Sequence, residues 1–171
     1  MPSPLLRFYR HQGPDHAGRM LAEIWHWPHA QLEAQHDFIQ WLFPLDEPSG
    51  ANAQAPLLTE EDIAHWHHDP MLRMYLRRSF EKLLDFYGFT IVNTSNHARI
   101  IASSNASARQ ALWITPNNHN HLRLTRIMKS LRLLGEAELA DALRTALEQI
   151  AEQHDGTIGE ETVRYLSLIH I

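Results

Sequence analysis

The sequence predicts an all-α protein, a single irregular bundle of about six to eight helices, and three features of the chain lead there. Apolar residues recur at intervals of three and four over most of its length. Proline, glycine and capping residues fall between these stripes. Strand signals are nearly absent: the one β-branched run, Phe89 to Val92, has no evident partner and is assigned to extended loop.

A first helix is expected after Gly13-Pro14-Asp15, with Met20, Leu21, Ile24 and Trp25 at helical spacing and Pro28 just beyond its end. A second runs from about His29 to Phe43, where Leu32, His36, Ile39 and Phe43 share one side and Pro44 terminates it. Residues 44 to 58 hold Pro44, Pro48, Gly50, Asn52 and Pro56 and form a long loop, of the kind that is functional or structurally pinned. Thr59-Glu60-Glu61-Asp62 is a capping box with Asp in the acceptor place, followed by Ile63 and Trp66. Asp69-Pro70 caps the next helix, whose stripe is Leu72, Tyr75, Leu76, Phe80, Leu83, Leu84 and Tyr87, and Gly88 ends it.

Residues 93 to 105, rich in Ser, Asn and Thr, are the least ordered-looking stretch, followed by a modest helix from about Ala106 to Trp113. Thr115-Pro116 introduces the strongest helix, with Leu124, Ile127, Met128, Leu131 and Leu134 as its stripe and Gly135 as its stop. Glu136 to His154 is an amphipathic helix with Leu139, Leu143, Leu147 and Ile150, and Gly156 closes it. A last helix is expected near Glu160 to Leu168. The terminal SLIHI, residues 167 to 171, resembles translated cloning adapter and is set aside as a non-native tail.

With 171 residues the chain is expected to be one domain, burying roughly 70% of the surface its unfolded form exposes. Its formal charge of −5 disfavours nucleic acid as a partner, because that affinity rests on basic residues at phosphates. Only Lys82 and Lys129 are lysines among 15 basic residues, so the cationic side chains are planar, bidentate guanidiniums that suit carboxylate or phosphate. That Arg- and Ala-rich balance also suggests a GC-rich bacterial genome. There are 13 histidines, enough to reverse the sign of the charge when protonated. The absence of cysteine excludes disulfides, thiolate metal sites and thiol nucleophiles. No apolar run approaches the roughly 20 residues of a spanning helix, so no membrane insertion is expected. The N-terminus lacks a signal-peptide pattern, which points to the cytoplasm.

Two blocks stand out by their density of distinctive residues. One is LEAQHDFIQWLFP, Leu32 to Pro44, and the other HNHLRLTRIMKSLRLLG, His119 to Gly135. Together with Phe8-Tyr9, Trp25, Asn52, Ala55-Pro56 and Phe86-Tyr87-Gly88 in the same order, they resemble the opioid growth factor receptor conserved domain family over roughly residues 7 to 150. Departures are mild: Leu124 and Met128 replace isoleucine and leucine, and His121 stands where asparagine is common. The resemblance implies a helical domain, and animal members of the family are described as receptors for an enkephalin peptide.

The candidate site follows from the polar faces of these blocks. On a continuous helix His36 and Gln40 share a face while Trp41 turns about 100° further round, and Asn52 lies on the nearby loop. His119, Asn120, Arg123 and Arg126 lie on the polar side of the strong helix, where the two guanidiniums are neighbours suited to one anionic group. Amides of Asn117 to Asn120 would add a positive helix end. These eight residues are expected to line a cleft between the IQWLFP and LRLTR helices for a peptide or small anionic ligand. One alternative is that Arg123 and Arg126 pair with Glu33 or Asp37 and merely cement the structure. A second is an uncharacterised enzyme using His36 or His119 beside Arg123 and Arg126, and a third is a structural protein-interaction domain. No catalytic residue can be named, since G-x-S-x-G, P-loop and G-x-G-x-x-G patterns are lacking. No cofactor is implied. The histidine clusters at His26 and His29 and at His65, His67 and His68 lack zinc-site spacing, so no metal is expected. Oligomeric state is not readable.

Overall fold

The computed structural model describes residues 2–50, 52–94 and 97–154. They form two compact units, the first running to Lys82 and including Leu133–Gly135, the second holding Leu83–Arg132 and the described residues from Glu136 onward.

In the first unit, α1 (Pro4–Tyr9) is a helix the sequence reading left out. It has only six residues, too few for a periodic stripe, yet its start is locally encoded. Ser3 accepts a hydrogen bond from the Leu6 amide and Pro4 occupies the first turn. Ser3 Oγ also donates to Asp62 Oδ1 at 2.8 Å. Asp62 is the acceptor residue of the Thr59 capping box at the head of α5 (Glu60–His68), which forms as the sequence predicts. The α1 residues Leu5, Leu6, Phe8 and Tyr9 are buried, with Phe8 edge-on to Trp41 and Tyr9 edge-on to Trp66.

The expected first helix is short, α2 (Leu21–Trp25). The expected helix from His29 to Phe43 is not continuous: it divides into α3 (His29–Ala34) and α4 (Ile39–Leu42). The reason lies between them. Gln35 is extended at φ −88 and ψ 134, and the Asp37 carbonyl accepts from the side chains of Arg19 and Asn52. The loop from 44 to 58 is pinned by a bridge between Leu45 and Leu57, with the Leu58 amide donating to the Leu45 carbonyl.

The long helix α6 (Pro70–Tyr87) begins in the first unit and ends in the second, where Gly88 at φ +86 stops it. The next segments overturn the all-α expectation. β1 (Phe89–Thr94) and β2 (His97–Ala102) pair antiparallel, Phe89 opposite Ala102 and Ile91 opposite Ile100. The run Phe89 to Val92 does have a partner, supplied by the stretch assigned to loop because of its Ser, Asn and Thr content. Ile100 and Ile101 sit between polar ends that mask their β-branched signal. Among the described residues there are nine helices and this two-stranded sheet, against a pure bundle of six to eight helices. Omission of α1 and division of the His29–Phe43 helix account for the extra helices.

The second unit continues with α7 (Ala106–Trp113), α8 (Asn120–Leu133, its last residue assigned to the first unit) and α9 (Ala137–Gln153). Leu124, Ile127, Met128 and Leu131 of α8 and Leu139, Leu143, Leu147 and Ile150 of α9 are buried, as their spacing predicts. Removing each such side chain from water contributes about 1.5–3 kcal/mol. The helix expected near Glu160 to Leu168 and the tail at 167 to 171 lie outside the described residues.

Candidate functional site

Four of the eight candidate residues belong to the first unit and four to the second. In the first, Gln40 is almost wholly buried; its amide donates to the His36 carbonyl at 3.3 Å and its oxygen accepts from Asn52 Nδ2 at 3.4 Å. Asn52 also holds its own loop, accepting from the Gln54 amide and donating its backbone N–H to Ser49 Oγ. His36 is exposed and lies outside any helix, so the shared helix face expected for His36 and Gln40 does not form; the pair meets through the His36 carbonyl.

Trp41 opens onto residues the sequence reading did not single out. Its indole N–H donates to His16 Nδ1 at 3.0 Å. A nitrogen that accepts carries no proton, so the proton of neutral His16 sits on Nε2, 3.3 Å from Asp37 Oδ2. Asp37 also receives Arg19 NH1 at 2.9 Å, and Arg19 Nε binds the buried Asp15 at 2.7 Å. Asp15 Oδ1 accepts the backbone amides of Ala17 and Arg19, closing the turn. Burial works to raise the Asp37 carboxyl, but the hydrogen bond and charge of Arg19 outweigh it and hold Asp37 below the usual carboxylate range. Asp37, offered by the sequence as a partner for Arg123 or Arg126, thus pairs with Arg19 and His16. The available signal was Asp15 among Gly13, Pro14 and Gly18, a composition typical of side-chain-closed turns.

In the second unit α8 begins at Asn120, not at Thr115. Asn117 adopts φ +58, and Asn118 Oδ1 caps the Asn120 amide at 2.9 Å while its Nδ2 donates to the Leu112 carbonyl and Thr115 Oγ1. The first helix amide expected for an anion is therefore taken by Asn118. Asn120 is 1% exposed, and its Oδ1 accepts from Tyr87 Oη at 3.1 Å and from Arg123 NH1 at 3.5 Å. Arg123 is buried, Arg126 half-buried and His119 exposed. His121 is buried with Nε2 at 2.9 Å from the Trp113 carbonyl; burial pushes its pKa down, against the smaller pull of that carbonyl. Trp113 in turn donates to the Tyr87 carbonyl.

The ligand-sized feature of this unit lies elsewhere. A groove of about 360 Å³ runs between β2 and α9, bordered by Arg99, Ile100 and Ala102 on the strand and by Ala146, Gln149 and Ile150 on the helix. Among the described residues, Arg99 is the one charged side chain of its lining. Sequence reading missed it, since its wall exists only once β2 has paired. Among the described residues, no three His, Asp, Glu or Cys side chains are grouped to hold a metal, and no helix is long and apolar enough to cross a membrane.

Comparison with known proteins matches residues 5–166 to the opioid growth factor receptor (OGFr) conserved region. The opioid growth factor receptor of Rattus norvegicus is 39% identical over 124 residues, 72% of this chain and 21% of the rat protein. That of Homo sapiens is 38% identical over 120 residues, 69% of this chain and 17% of the human one. Opioid growth factor receptor-like protein 1 of Xenopus tropicalis is 33% identical over 134 residues, 76% of this chain and 25% of its own length. The chain thus spans about a fifth of the receptors it matches. These relatives are vertebrate and lend no support to the bacterial origin suggested by composition. No solved structure matches.

Proposed function

Because the chain belongs to the opioid growth factor receptor conserved-region family, we propose that it is a recognition module that takes a peptide or small anionic ligand and does no chemistry on it. The observation that carries this reading is the groove along β2 and α9. Its volume of about 360 Å³ falls in the range of ligand sites, and a single guanidinium among neutral lining side chains favours an anionic group. The relatives' name of receptor agrees with recognition, although this chain corresponds to a fraction of each.

In this reading the signature blocks mainly build the walls of each unit. Gln40, Trp41 and Asn52 are hydrogen-bonded within the first unit, and Asn120 and Arg123 within the second. His36 in the first unit, and His119 and Arg126 in the second, are each proposed only as polar contacts of their own unit.

A thermal-shift screen of the full chain against inorganic phosphate, short dicarboxylates and acidic and basic peptides tests the proposal, because a ligand selective for the folded state raises its melting temperature. A rise with peptide or anion that disappears in Arg99→Gln supports it. A flat response across the panel overturns it.

A further inference from the structure

The edge of β2 that borders the groove is a strand ladder with open positions. Antiparallel partners alternate between pairs that exchange hydrogen bonds and pairs whose N–H and C=O groups point away from each other. The Ser103 amide donates to the Gly88 carbonyl at 2.9 Å, and continuing that register makes Thr90–Ile101 and Val92–Arg99 the bonded pairs. Ala98, Ile100 and Ala102 then turn their backbone groups outward, away from β1. An independent contact agrees: the Ala98 amide points outward and is met by the Glu138 carboxylate of α9 at 2.9 Å. Ile100 and Ala102 continue this edge along the groove, and no bond from a described residue is recorded to their outward groups.

We propose, resting on the recognition reading above, that the occupant of this groove is an extended acidic segment of another polypeptide, which adds as a third strand along β2. Two physical arguments select that occupant. Outward amides and carbonyls at every second residue repeat about every 6.6 Å, the two-residue repeat of a strand, and a chain in β conformation matches them without further adjustment. Charge complementarity sets its composition. Arg99 is exposed and is the sole charged lining residue among the described ones, and a cross-strand carboxylate on the same sheet face pairs with it favourably. Glu138 already occupies the Ala98 amide, so the added strand is placed on the outward groups of Ile100 and Ala102, where its carboxylates face Arg99 and stay clear of Glu138.

The test uses the full chain and three synthetic probes: acetyl-Thr-Val-Glu-Val-Glu-Val-Thr-amide, the same peptide with lysine for glutamate, and forms of the acidic peptide N-methylated at one amide at a time. Calorimetric titration is expected to show binding of the acidic peptide over the lysine peptide, and Arg99→Glu to reverse that order. N-methylation should weaken binding up to about tenfold at alternate positions and little at those between, since one ladder bond contributes at most about that much. Hydrogen exchange should show the Ile100 and Ala102 amides unprotected in the free chain and protected with peptide.

Binding without any alternation along the peptide would overturn strand addition and leave the recognition reading standing. Binding of neither peptide would overturn strand addition, and a phosphate and dicarboxylate screen that is also flat would overturn both. Protection of the Ile100 and Ala102 amides before peptide is added would mean that this chain's own residues cover the edge, and would overturn the proposal.

Discussion

Tyr9 and Ser79, seventy residues apart, share a buried hydrogen bond of 3.0 Å whose direction is fixed by their other partners. Tyr9 has one proton, and the Leu42 carbonyl beside it can only accept, so Tyr9 donates there. The Ser79 hydroxyl must then donate to the Tyr9 oxygen, which leaves Ser79 Oγ to accept the Trp25 indole N–H at 2.9 Å. Four elements, α1, α2, α4 and α6, are linked by one polarised chain with no spare donor, and burial pushes the Tyr9 phenol well above its ordinary value.

Breaking that chain at Ser79 is expected to be costly. Ser79→Ala removes the acceptor of Trp25 and the donor to Tyr9 at a fully buried position, so chemical denaturation should show a loss of about 1–3 kcal/mol. Tyr9→Phe should cost a similar amount by stranding the Leu42 carbonyl. A loss below about 0.5 kcal/mol for both would contradict the chain.

The turn around Asp15 should rank above the ion pair that it supports. Asp15→Ala removes the buried carboxylate that accepts the Ala17 and Arg19 amides and pairs with the Arg19 side chain, with an expected loss of about 2 kcal/mol. Asp37→Asn acts on a side chain that is 40% exposed, where solvent screening limits the loss to about 0.5–1 kcal/mol. Urea midpoints of the two variants give the order directly, and the reverse order would refute this account.

Arg123→Gln and Arg126→Gln separate cementing from binding. Arg123 is 6% exposed and bonded to Asn120, so its substitution should lower the melting temperature with or without ligand. Arg126 is half-buried, and its substitution should change stability less. Unchanged melting of Arg123→Gln together with lost ligand binding would assign that guanidinium to a ligand.

Stability should fall as acid is added, starting near neutrality. His121 and His11 have pKa values below the ordinary 6.5, chiefly through burial, with Arg78 adding to the effect at His11. Between 6.5 and those lowered values the unfolded chain binds more protons, so stability is complete above 6.5 and declines as pH falls through the folded-state values. The depressed Asp37 carboxyl extends the decline below the usual carboxylate range. Melting temperatures from pH 8 to about 2 should show this slope, and His121→Gln should make its upper part shallower. An unchanged slope in that variant would remove His121 from the explanation.

Two glycines of positive φ should differ in tolerance. At Gly88, φ +86, a Cβ would lie 3.0 Å from Ala106 Cα and 3.1 Å from Arg109 Cβ, whereas at Gly135, φ +91, the nearest atom is a movable His67 ring atom at 3.6 Å. Gly135→Ala should therefore cost about 1–2 kcal/mol, the left-handed backbone penalty alone, and Gly88→Ala more. Equal unfolding midpoints for the two would show that backbone crowding at Gly88 is relieved.

What the sequence determined by itself was whatever depends on neighbours within a helical turn or two. The stripes of α6, α8 and α9, the Thr59–Asp62 capping box and the stops at Gly88 and Gly135 are all local, and so is the family resemblance carried by contiguous blocks. Tertiary structure alone decided features whose partners are distant or polar. Strand β1 had no visible partner until Ile91 met Ile100 across the hairpin, and the groove edge at Ile100 and Ala102 exists only through that pairing. The helix from His29 to Phe43 is broken by side chains from Arg19 and Asn52 that claim the Asp37 carbonyl, a competition no periodicity records. Gln40, Asn52, Asn120 and Arg123 were recognisable as polar residues on signature blocks, but their hydrogen-bond partners were not. Burial compels such groups to find partners, and the folded chain chooses which.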